Sequence, residues 1–140
     1  MVNTKIYKSV YILAEELLEA NNRHNQEAFD ALYIDLQTIC TDNENTDKDH
    51  PVQWETLADF TEELDEALVI YQKALEKAIK INSKDFMSSI AFSMAVLQVE
   101  LGQIEAAVVN LQNAKISANK IEDKELKNEI HDLLVELTAE

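Results

Sequence analysis

The chain has 140 residues, the length of one domain, and its 46% hydrophobic and 28% charged content is that of a globular chain rather than a disordered one. One glycine and one proline are too few for the turns of a sheet, which leaves helices joined by short polar links. A net charge of −15 repels phosphate, so neither a nucleic acid nor an anionic membrane is an expected partner.

A first helix is expected to start near Thr4, a good N-cap type. Ile6, Val10, Leu13, Leu17 and Ala20 follow at helical steps. Tyr7, Tyr11, Ala14 and Leu18 make a second stripe beside them. So wide an apolar face implies more than one neighbour. The polar run Asn21–Asn25 reads as a turn. A second helix is expected over 26–40, with Ala28, Ala31, Leu32, Leu36 and Ile39 on its apolar face. The segment TDNENTDKDH, Thr41 to His50, is the most polar stretch and reads as a loop. Pro51 suits the first turn of a third helix, where its missing N–H has no partner anyway. Val52, Trp54, Leu57, Ala58 and Phe60 are its apolar positions, and a break falls near Thr61.

A fourth helix is expected from Leu64 to about Ile81. Asn82 and Ser83 are N-caps for a fifth, about Lys84 to Leu101, which Gly102 ends. A sixth spans about Ile104 to Asn119. The last lies over 122–137 with one stripe: Leu126, Ile130, Leu133, Leu134 and Leu137. No apolar run reaches membrane-spanning length, and glutamates interrupt the N-terminal pattern where a signal peptide needs an apolar run. Cys40 is the single cysteine, so no intrachain disulfide forms. Cytoplasm is the expected location.

The fourth and sixth helices align at a shift of forty residues. Leu64 meets Ile104, Ala67 meets Ala107, Val69 meets Val109, Tyr71 meets Leu111, and Ala74 meets Ala114. The second helix follows less well at thirty-nine, where Asp35 falls at an alanine position. The segment Leu101-Gly102-Gln103-Ile104-Glu105-Ala106-Ala107, with Leu111 and Ala114, resembles a tetratricopeptide repeat. In that family each unit is a helix pair with small residues at the close crossings. The unit around Ala67, Tyr71 and Ala74 is the next best match, with Glu62 where the turn glycine would stand. The spacing departs from the usual thirty-four residues, and no proline closes a unit. The resemblance implies one all-α domain over 1–140 of stacked antiparallel helix pairs in a right-handed superhelix. The pairs are 4–40, 51–81 and 84–119, and the helix over 122–137 caps the array. One helix pair cannot bury its own apolar face, and stacking supplies the neighbours. Ala67, Tyr71, Ala74, Gly102, Ala107, Leu111 and Ala114 are the expected repeat-packing residues.

Candidate chemistry fails on missing residues. His24, His50 and His131 lie in separate elements, none with a partner at ligand spacing. The loop with Asp42, Glu44, Thr46, Asp47 and Asp49 is acidic enough for calcium, yet it lacks the sixth-position glycine and has Gln53 where a bidentate glutamate belongs. The glutamate clusters have no Glu-x-x-His partner, and one glycine excludes phosphate-binding loops and the nucleophile elbow. Cys40 has no nearby base in sequence and reads as a small buried hydrophobe. The expectation is therefore no catalysis, no metal and no cofactor.

The resemblance also places a partner groove on the first helix of each pair. It falls on Val10, Leu13 and Leu17, then Val52, Thr56 and Phe60, then Phe92, Val96 and Val99. Such a groove in an acidic chain suits a basic or amphipathic protein segment. Two other roles fit the same surface: a dedicated chaperone or neutraliser of one cognate protein, and a structural homodimer.

Overall fold

A computed structural model describes residues 3–139 and contains seven α-helices and no strand among them. Met1, Val2 and Glu140, the ends of the expected 1–140 domain, lie outside the described residues. The helices are α1 (Thr4–Asn22), α2 (Gln26–Asn43), α3 (Pro51–Asp59), α4 (Leu64–Lys80), α5 (Lys84–Glu100), α6 (Ile104–Ala118) and α7 (Lys124–Thr138). The all-α fold of helix pairs followed by a C-terminal helix is the one expected.

Local chemistry sets the ends. Asn3, not Thr4, caps α1: its side chain accepts from the Ile6 N–H at 3.1 Å, and asparagine is the stronger cap. Helix α2 runs three residues beyond the expected Cys40. There Thr41 donates to the Thr38 carbonyl and the Asn43 amide to that of Ile39, tying the added residues to the helix. Pro51 opens α3 as expected, and Ser83, not Asn82, caps α5.

Three junctions share one construction. Two residues beyond the ends of α1, α4 and α5 stands a residue with positive φ: His24 at 55°, Asn82 at 53° and Gly102 at 78°. In each, the next residue's N–H reaches back to close the last turn: Asn25 to the Ala20 carbonyl, Ser83 to Ala78 and Gln103 to Gln98. This is the Schellman closure. The same residues, Asn25, Ser83 and Gln103, then stand at the N-cap of the following helix. A β-carbon is strained in this conformation, least in asparagine. His24→Gly should therefore raise the urea midpoint, worth about 0.5–1 kcal/mol, and Gly102→Ala should lower it by a similar amount. The second loss comes from φ alone, because an added β-carbon at Gly102 meets nothing within 4 Å.

The chain forms two compact units, Met1–Ile70 and Tyr71–Glu140. In the first, α1 packs on α2 and α3 packs on both. Val10, Leu17, Phe29, Leu36, Cys40, Trp54 and Leu57 are buried there. In the second, α5 packs on α6 and α6 on α7. Its core joins Ala91, Ala95, Ala107, Leu111, Ala114, Ala118, Ile121 and Ile130. Alanines on both α5 and α6 permit a close crossing, since ridge depth sets the distance between helix axes. Leu126, Leu133, Leu134 and Leu137 of α7 pack against this core with one stripe. Ala67, Tyr71 and Ala74 of α4 are also buried.

Candidate functional site

The residues expected to line a groove are mostly not available to a partner. Leu17 is 0% exposed and belongs to the core, as does Val10. The reason is their shared face: Val10, Leu17 and Ala20 form the inward side of α1, a helical turn or two apart. Leu13, Val52, Thr56 and Phe60 are half-buried in the first unit. The Thr56 hydroxyl donates to the Val52 carbonyl at 2.7 Å, so it is already engaged. Phe92 and Val99 pack against the α5–α6–α7 core, and Val96, at 36% exposure, is the most open of the nine.

One of those nine, Phe60, lines a cleft of about 300 Å³ within the first unit. The cleft lies between α2, the end of α3 and the start of α4. Phe29, Tyr33 and Phe60 supply aromatic surface, and Asp30, Glu62, Glu63 and Glu66 supply carboxylates. Phe29 and Phe60 meet edge to face with centroids 6.4 Å apart. Thr61 donates its hydroxyl to the Leu57 carbonyl at 2.8 Å. Its oxygen therefore accepts from the Tyr33 hydroxyl, 2.7 Å away, which fixes the phenol at the cleft wall. The Gln26 amide nitrogen donates to Asp30 at 2.7 Å and to Glu62 at 3.1 Å. A single neutral nitrogen thus bridges carboxylates from two elements, a place an ammonium or guanidinium would fill with more charge. Asp65 and Glu66 open α4, where carboxylates complement the helix dipole. That accounts for Glu66 of the cluster, and Asp30, on α2, is held by Gln26.

The acidic loop before α3 is built inward. Asp49 accepts from the Asn45 N–H at 2.8 Å through one oxygen and from the Trp54 indole at 2.8 Å through the other. The buried Gln53 amide donates to the Lys48 carbonyl at 3.2 Å, and the Cys40 thiol donates to the Gln53 carbonyl at 3.3 Å. Among the described residues no group of three His, Cys, Asp or Glu is placed to hold a metal ion. No described helix is long and apolar enough to cross a membrane.

His50 caps α3, its Nδ1 accepting from the Val52 N–H at 3.1 Å. Burial, which disfavours the imidazolium, holds its pKa below the ordinary 6.5, and Asp49 opposes the shift. Between the folded and unfolded values the unfolded chain binds more protons, so stability rises with pH there. The His50 contribution is therefore complete above about pH 6.5 and declines as pH falls towards the folded value. The wild-type urea midpoint should fall relative to that of His50→Asn, a cap that does not titrate, as pH is lowered below about 6.5, and the difference should be constant above it.

Sequence reasoning missed Phe29, Tyr33 and Asp30 as site residues. They are about thirty residues from Glu62 and Glu63, and only the fold brings them to one cleft. Comparison with protein-family models, with curated proteins and with solved structures finds no match for this chain.

Proposed function

We propose that this chain is a non-catalytic protein-interaction module of tetratricopeptide type, working in the cytoplasm, that holds a basic segment of a partner protein. The observation that carries the reading is the cleft of the first unit, with three aromatic side chains and four carboxylates at one concave place. Cations bind aromatic faces by the ring quadrupole and carboxylates by charge, and both grow stronger as water is displaced. The net charge of −15 draws a basic segment in from a distance. The pairing of Gln26 with Asp30 and Glu62 gives an arginine a ready place, because a guanidinium can donate to both. The helix pairs and the buried alanines of α4 and α6 support the repeat reading.

The test is a titration of isotope-labelled protein with a nine-residue arginine-rich peptide, followed by amide chemical shifts. Shifts are expected over residues 26–33 and 60–66. The exposed Glu62→Lys, Glu66→Lys double variant should bind about tenfold more weakly, the effect of reversing two partly screened charge pairs. A peptide with citrulline for arginine should leave those signals in place. Equal binding by the double variant, or by the citrulline peptide, would remove the reading.

A further inference from the structure

Helix α1 carries two apolar stripes, and the fold uses one of them. Val10, Leu17 and Ala20 point into the first unit. Tyr7, Tyr11 and Leu18 point to solvent, 46%, 57% and 53% exposed. With the half-buried Ala14 they step by four, three and four residues, so they form one face over about three turns. Exposed apolar side chains scattered singly are ordinary, but three large ones in register on one helix, with the half-buried Ala14 between them, are an unpartnered face.

The charges beside this face suggest its occupant. Lys8 lies on one flank of the stripe in the N-terminal half of α1. Glu15 and Glu19 lie on that same flank in the C-terminal half, about two and three turns later. A two-fold axis perpendicular to the helix reverses its direction and keeps each flank on its own side. Two copies of α1 packed antiparallel about the point between Ile12 and Leu13 therefore bring Tyr7 against Leu18, and Tyr11 against the small Ala14. The same operation sets Lys8 of each copy between Glu15 and Glu19 of the other. A two-fold axis along the helix would move each flank to the opposite side and set Lys8 beside neither glutamate.

We propose that the Tyr7–Tyr11–Ala14–Leu18 face of α1 is an isologous dimer surface whose partner is α1 of a second copy, held antiparallel by the apolar stripe and steered by two equivalent Lys8–Glu15/Glu19 clusters. In a chain of net charge −15 most faces repel their own copies. This flank places a cation where the symmetry needs one. In the single chain Glu19 already holds Arg23 at 2.7 Å, an exposed pair of the kind that exchanges partners at little cost. The surface is separate from the aromatic cleft, so either can fail without the other.

Sedimentation velocity over a range of about 5 to 500 µM tests it. The wild type should pass from monomer to dimer with rising concentration. Tyr11→Asp with Leu18→Asp should stay monomeric at the top of the range with unchanged helical circular dichroism. Lys8→Glu should weaken association about tenfold or more. Lys8→Glu combined with Glu15→Lys and Glu19→Lys should restore it, because the swapped pairs meet again only in the antiparallel register. A wild type that is monomeric throughout overturns the proposal, as does a dimer that survives the two aspartates. A triple swap that fails to recover association overturns the antiparallel pairing.

Discussion

Leu111→Ala should lower the unfolding free energy by about 2–5 kcal/mol, towards the upper half of that range. Leu111 is 0% exposed in the core of the second unit. Its cluster includes Ala91, Ala95, Ala107, Ala114 and Ala118, which have no side-chain atoms able to swing into a void. On the alanine side the cavity can close only if helix backbones move, and a close-packed interior resists that. The opposite error is also costly: Ala107→Leu drives a larger side chain into the same core and should lose about 1–3 kcal/mol. Urea unfolding followed by circular dichroism measures both. A loss for Leu111→Ala below about 1 kcal/mol would mean that α5 and α6 close up readily, contrary to the packing described.

The two substitutions bear on how much of this core was legible in advance. Leu111, Ala107 and Ala114 stand out in the sequence because small and large residues recur at helical steps, and all three are buried. Helix ends were legible wherever one residue decides them, as Pro51 and Gly102 do. They were less so where side chains compete, as with Asn3 over Thr4 at the first cap. The closing turns at His24 and Asn82 carry little sequence signal, since neither residue type requires a positive φ. Periodicity also cannot tell a stripe facing the core from one facing solvent. Leu17 and Leu18 are neighbours of equal hydropathy, and one is 0% exposed while the other is more than half exposed. The aromatic cleft was beyond reach for a different reason: Tyr33 and Thr61 meet only after two helices and a loop are in place.

The loop before α3 leads to the second large effect. Gln53→Glu should lower stability by about 3–5 kcal/mol at neutral pH, although the side chains have the same shape. Gln53 is 0% exposed, and its amide donates to the Lys48 carbonyl. An ionised carboxylate there removes the donor, turns a lone pair towards that carbonyl and buries a charge. Burial raises the folded pKa of such a glutamate above the ordinary value of about 4.3. Between the two values the folded chain binds more protons, so the variant loses stability as pH rises through this window. Below it the neutral acid can donate to Lys48 again, and most of the loss should vanish. Gln53→Met separates the two causes, because it deletes the donor without adding charge. It should cost about 1–3 kcal/mol at every pH. Fluorescence of Trp54, the next residue and the only tryptophan, reports unfolding of this region directly. A Gln53→Glu deficit that stays constant with pH would show that the side chain reaches water. The acidic loop would then be a solvated segment, not the inward-bonded brace that the Asp49, Lys48 and Cys40 contacts describe.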